Sequence, residues 1–159
     1  MYILLERYAQ KVEAILINNK TLKSYYKKIK SSEKRFINKN RPSISILNYL
    51  QRIIYYTDLE ESTIILSLIY IIKLSNENKI FINEYNIHRI ILASLLASHK
   101  YNEDKIHYNK YLAKVGGINE KELITIQDCF IDLLEFKFFI DEKYYNEFSK
   151  ELLNNTSEN

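Results

Sequence analysis

Three histidines, one cysteine, one glycine pair and scattered carboxylates are the residues of this chain whose types lend themselves to chemistry. A zinc centre needs several His, Cys or acidic ligands brought together at characteristic spacings. His88, His99 and His107 fall into no HExxH pattern, there is no CxxC, and Cys129 has neither Cys nor His near it in sequence. No metal site is therefore expected. The imidazoles are expected at the surface or at helix ends, as at His99-Lys100, where a cation suits the helix dipole. Gly116-Gly117 fits neither GxGxxG nor GxxxxGKS/T, so no phosphate-cradling loop is present. Asp132 and Glu135 flank Leu133-Leu134 and read as a solvated helix face rather than an acid–base pair. No catalytic residue and no cofactor are expected, and binding is favoured over catalysis.

The elements that would position a binding face are helical. Of 159 residues, 47% are apolar, with only two Gly and one Pro. Apolar content at that level can build a core, whereas a β-rich or loop-rich fold wants more turn residues. One cysteine cannot form a disulfide within the chain, which points to a reducing compartment, cytosol or nucleus. The N-terminus turns charged at Glu6-Arg7, too soon for a signal peptide. The longest apolar run, Ile64 to Ile72, is broken by Ser67 and too short to span a bilayer. A soluble, all-α protein is expected.

Apolar spacing predicts a helix from residue 3 to about 18, then a basic segment, helical in part, up to Arg41-Pro42. From Lys20 to Arg41 there are nine Lys or Arg against one acid, a local +8 that leaves −5 for the rest of a chain whose net charge is +3. A second helix is predicted over 43–56. Thr57-Asp58-Leu59-Glu60 has the form of a capping box opening a third, to Leu74, that is apolar on nearly every side and so belongs in the middle of a bundle. A fourth runs from Asn86 to about Lys100, with small residues Ala93, Ser94, Ala97 and Ser98 allowing close approach. A short fifth, 108–115, stops at Gly116-Gly117. Asn119 and Glu122 cap a sixth, predicted to reach about Phe136. A last amphipathic helix covers 142–153 and the tail frays.

Several segments, in order, resemble one family. "PSISILNYLQRIIYY" (42–56), "IILSLIYIIKL" (64–74), "NIHRIILASLLASHKYNED" (86–104), "YNKYLAKVGGINEKEL" (108–123) and "FIDLLEFKFFI" (130–140) together resemble the P-type cyclins, also called U-type or phosphate-regulon-type. The resemblance covers about 100 of 159 residues. It implies a single five-helix cyclin box over 42–140, preceded by an N-terminal helix and basic segment (1–41) and followed by a C-terminal helix and frayed tail (141–159). It also implies a function: a non-enzymatic subunit that binds a cyclin-dependent kinase and pushes its C helix inward, with the third and fifth box helices in contact.

Residue by residue, Lys100 matches the lysine with which cyclins meet backbone carbonyls ahead of the kinase C helix, and Tyr101 the aromatic position after it. The family's partner glutamate falls on Gln127, an amide without charge. Ile131 and Leu134 follow Gln127 at i+4 and i+7, an apolar stripe beside Ile126, Phe130 and Leu133. One stripe can fill the core and the other is expected to meet the partner. Where the family commonly has Asp-Arg, this chain has Ile72-Lys73, so Arg52 must find another acceptor or face water. There is no Trp, and hence no tryptophan-containing docking motif. A kinase partner is thus expected, with no small-molecule substrate and no membrane. Two further readings stay open: a cyclin-fold interaction module that does not activate a kinase, and nucleic-acid binding through segment 20–41, where Tyr25, Tyr26 and Phe36 lie among lysines.

Overall fold

The computed structural model describes residues 1–22 and 33–154, and among these it is all-helical. The helices are α1 (Tyr2–Leu22), α2 (Ile46–Thr57), α3 (Glu61–Asn76), α4 (Ile87–Asn102), α5 (Asn109–Gly116), α6 (Glu120–Leu133) and α7 (Glu142–Asn154), with a 3-10 turn at Glu33–Phe36. The centre of the basic segment, 23–32, and the end of the tail, 155–159, lie outside the described residues. The basic residues flanking that centre are engaged: Lys20 and Arg41 both pair with Glu84, at 2.5 and 3.3 Å.

α3 sits in the middle, as its all-round apolarity requires. Every residue from Thr63 to Ile71 is buried. α4 and α1 both pack on it, α6 packs on α4, and α2 touches both α1 and α5. The small residues of α4 bring the two central backbones close. Ser94 Oγ donates to the Ser67 carbonyl at 2.7 Å, and Ser67 Oγ donates within its own helix to Ile64 O at 2.7 Å, with the Tyr8 hydroxyl of α1 3.1 Å away. The buried hydroxyls of Ser94, Ser67 and Tyr8 are tolerated because each is bonded.

The helix ends show where local chemistry decides. Ser45 caps α2, accepting from the Asn48 N–H at 3.1 Å, so α2 begins three residues later than the position after Pro42 suggests. Thr57-Asp58-Leu59-Glu60 does not form the expected capping box. Thr57 ends α2, its buried hydroxyl donating back to Ile53 O at 2.7 Å, and Asp58 follows in the left-handed conformation (φ 49°). Leu59 is buried there, and the Glu60 N–H is met by Glu103 Oε1 from the end of α4 at 3.2 Å. A tertiary carboxylate thus does what the local box would have done. α3 also runs two residues past Leu74, so Ser75 and Asn76 are helical rather than loop.

The Asn119–Glu122 box forms as predicted. Asn119 Oδ1 accepts from the Glu122 N–H at 2.8 Å and Glu122 Oε2 accepts from the Asn119 N–H at 3.2 Å. Asn119→Ala should cost about 1 kcal/mol, a fall of roughly 3 °C in Tm by calorimetry. Gly117 closes α5 in the left-handed region (φ 74°), and Gly116 lies against Leu92, where a Cβ would come within 2.4 Å of the leucine side chain.

Asn86-Ile87-His88-Arg89, among the most distinctive segments of the chain, proves to be a structural clasp. Asn86 donates to Phe81 O and accepts from the Asn83 N–H, both at 2.8 Å. His88 Nε2 donates to Ile44 O at 2.8 Å. Arg89 reaches Asn38 Oδ1 (2.8 Å), Arg35 O (3.3 Å) and Glu122 (3.1 Å), tying the 3-10 turn, α4 and α6 together. Arg52 donates to the Lys114 carbonyl at 3.5 Å and is otherwise exposed, having no acid at Ile72 to meet.

Candidate functional site

Lys100 stands on the last turn of α4, partly exposed, at a point where α5 and α6 both approach it. Its Nζ donates to Gln127 Oε1 and to Asn109 Oδ1, each at 3.0 Å. Gln127 comes from the second half of α6 and is 4% exposed, while Asn109 is the first residue of α5. The lysine is therefore held by two neutral amides rather than by an ion pair. Burial pulls its pKa below the ordinary value, with Asp128 acting in the opposite sense. An ammonium has three donors. Two are used, and one remains for an acceptor from outside.

Tyr101, next along α4, is 54% exposed, and its ring stacks on Phe138 with centroids 5.3 Å apart. Phe138 is itself fixed: its carbonyl accepts from the Tyr70 hydroxyl of α3 at 2.6 Å, and the Tyr70 ring meets it edge-on at 5.8 Å.

The apolar stripe on α6 divides differently from the sequence expectation. Ile126 and Phe130 fill the core and Leu133 packs partly against it. Ile131 is partly exposed. Leu134 is a correction: it is 2% exposed and belongs to the core, so it offers a partner nothing. Leu134 keeps a helical conformation (φ −72°) and follows the buried Gln127 and Phe130 at i+7 and i+4, which puts it on the core face of α6, and the helix ends at Leu133 rather than near Phe136. Glu135 and Phe136 both take the left-handed conformation (φ 54° and 58°), which ends the helix and turns the chain back with Leu134 inside. Glu135 is bound by Lys137 and Lys79, which hold its carboxyl down at about 2.

The same reversal throws out two residues that the sequence reading missed. Phe136 is 71% exposed and Phe139 78%, next to the Tyr101–Phe138 stack. The run Phe136-Lys137-Phe138-Phe139 carried a signal, since a short chain seldom leaves so many aromatics together without burying them. Periodicity alone assigned its first residue to a helix and left the turn unseen.

The histidines also depart from expectation. His88 and His99 are buried, at 8% and 1% exposure. Neither gathers a metal site: no group of three His, Cys, Asp or Glu among the described residues is placed to hold an ion. No helix among the described residues is long and apolar enough to cross a membrane.

Comparison with known proteins adds an independent line. A family model described as Cyclin matches residues 2–138, starting well before residue 42 and so including α1. Cyclin-U4-3 of Arabidopsis thaliana is 32% identical over 120 residues, 75% of this chain and 55% of that protein. PHO85 cyclin-like protein psl1 of Schizosaccharomyces pombe is 37% identical over 107 residues, 66% of this chain and 44% of its own length. Cyclin-P3-1 of Oryza sativa is 27% identical over 148 residues, 93% of this chain and 59% of that protein. The chain spans about half the length of the curated relatives it matches.

Proposed function

Because this chain belongs to the cyclin family, in its P-type or U-type branch, we propose that it is the regulatory subunit of a cyclin-dependent protein kinase and activates it by docking on the kinase C helix. The observation that carries this reading is the third donor of Lys100. The ammonium is partly desolvated, anchored by Gln127 and Asn109, and left with one N–H for a backbone carbonyl at the start of that helix. A pre-oriented cation of this kind costs little further ordering when it binds.

Ile131, Tyr101, Phe136 and Phe139, all exposed or partly exposed, would supply apolar surface to the same partner. Interfaces of signalling assemblies bury roughly 2,000 Å² or more. Such a surface would hold the kinase helix inward, so that its glutamate pairs with the ATP-positioning lysine. The phosphoryl transfer would be the kinase's own chemistry, carried out by positioning and electrostatics in its active site. The fission-yeast relative, described as a PHO85 cyclin-like protein, supports a partner of this kinase class.

A second reading is a cyclin-fold module that binds without activating. It draws on two departures, the neutral Gln127 in place of an acid and Ile72 in place of an Asp. Co-expression with cyclin-dependent kinases, followed by isolation of the complex and a peptide phosphorylation assay, separates the two. A stable complex with a large gain in phosphorylation is expected. A complex without that gain selects the second reading, and no complex with any of them defeats both.

A further inference from the structure

His99 is the most deeply buried imidazole of the described chain, and its ring is wired to the loop that delivers Asn109. Its Nε2 accepts the backbone N–H of His107 at 3.2 Å. A nitrogen that accepts carries no proton, so the neutral ring must be protonated at Nδ1. Nδ1 stands 3.2 Å from Glu103 Oε2, although the N–H is not aimed squarely at that oxygen. The other oxygen of Glu103 accepts from the Glu60 N–H at the head of α3. His107 in turn donates from Nε2 to Thr57 O at the end of α2, at 2.8 Å, and its ring lies 5.4 Å from His99 and 5.5 Å from Tyr111 of α5. The imidazole thus holds loop 103–108 by its bond to the His107 N–H, with Glu103 beside its other nitrogen at the start of the loop, and two residues beyond His107 comes Asn109, the anchor of Lys100.

We infer that His99 is the positioning residue of this site: in its neutral Nδ1–H form it holds loop 103–108 so that Asn109 meets Lys100. The free-chain part of this inference stands on its own; its consequence for binding rests on the kinase-docking reading above.

The inference has a pH signature. Burial holds the His99 pKa below its ordinary value of 6.5, with the Glu103 carboxylate pulling the other way and His107 and Lys100 adding to the depression. Glu60, at the head of α3, and the exposed Asp104 and Lys105 of the loop are the other charged groups nearby. His99 is therefore neutral in the folded chain at pH 7. The stability it contributes is fully present above the unfolded pKa of about 6.5 and declines as pH falls through it, because the unfolded chain takes up the proton first. Protonation puts a second N–H where His107 already donates, and so releases the loop even though Glu103 gains an ion pair.

The test compares wild type, His99→Gln and His99→Leu by NMR of the free full-length chain between pH 7.5 and 5. Glutamine places an amide oxygen near the position of Nε2 and does not titrate. The His107 amide and the Lys100–Asn109 contact are the readouts. In wild type both should be intact at pH 7.5, with the Nδ1–H tautomer, and both should be lost together as His99 titrates. His99→Gln should keep both throughout, and His99→Leu should lose both at every pH. Persistence of the Lys100–Asn109 contact in His99→Leu, or after His99 is protonated, overturns the inference. So does parallel loss in wild type and His99→Gln; this comparison decides the matter even if the leucine variant fails to fold. In the complex, wild-type affinity for the kinase should decline between pH 7.5 and 5.5, by less than the roughly tenfold that an unshifted imidazole of pKa about 6.5 would give, and that of His99→Gln should stay flat. If no kinase binds any form, the docking reading fails, while the free-chain measurement still decides the role of His99.

Discussion

Lys100→Glu should abolish kinase docking while leaving the fold intact. The substitution removes the ammonium that Gln127 and Asn109 hold in place and puts a carboxylate in front of carbonyl oxygens that need a donor. Truncating one partner of a buried, hydrogen-bonded charge costs roughly 2–5 kcal/mol of binding, and reversing it costs no less. The expected loss is at least about 100-fold in Kd, or roughly 2.7 kcal/mol. The free chain should notice little. Position 100 is partly exposed and the amides of Gln127 and Asn109 can rotate to donate to an acid, which leaves an unfavourable helix-dipole contribution of about 0.5 kcal/mol. Isothermal titration against the kinase, with a thermal melt of each variant alone, separates the two effects. Lys11→Ala, on the face where Lys11 pairs with Glu151 of α7, is the control and should bind as wild type does. Unchanged affinity in a well-folded Lys100→Glu would place docking elsewhere.

Leu68→Ala should be the most damaging single truncation in the core. Leu68 is fully buried in the middle of α3, the helix that α4 and α1 both pack upon. Deleting its isobutyl group leaves a cavity that close-packed neighbours cannot collapse into, at a cost of about 3 kcal/mol within the usual 2–5 range. Domains are stable by only about 5–15 kcal/mol, so the Tm should fall by roughly 10 °C. Ile72→Ala, one turn further along and only partly buried, should cost far less. If the two variants melted alike, α3 would not be the central helix.

How much of this was legible beforehand follows from which interactions are local. Helix positions came from apolar spacing, and the centrality of α3 from a run with no polar face; both depend on residues a few places apart. The Asn119–Glu122 cap was readable for the same reason. The Thr57–Glu60 box was misread because its competitor, Glu103, lies 43 residues away and reaches the Glu60 N–H only after α4 is in place. Leu134 is misplaced because spacing shows that it shares a face with Gln127 but not that this face is turned inward, where Gln127 and Leu134 are both buried.

The same reversal exposes Phe136 and Phe139, which no periodicity could announce. A lone imidazole in sequence shows neither of its partners, so the sequence places His88 and His99 at the surface or at helix ends rather than inside. Their acceptors and donors are backbone groups, Ile44 O and the His107 N–H, to which composition is blind. Lys100, Tyr101 and Gln127 came from resemblance. The structure adds what resemblance lacked, the second anchor at Asn109 and the Phe138 platform under Tyr101.

The central claim is that the face built by the end of α4, the second half of α6 and the reversal after it is where a kinase docks. Hydrogen exchange of the full chain, alone and saturated with its kinase, tests this directly. New protection is expected over residues 99–102, 127–133 and 135–139, with α1 and α7 unchanged. Protection confined to α1 and α7, with those three segments exchanging as they do in the free chain, would contradict it.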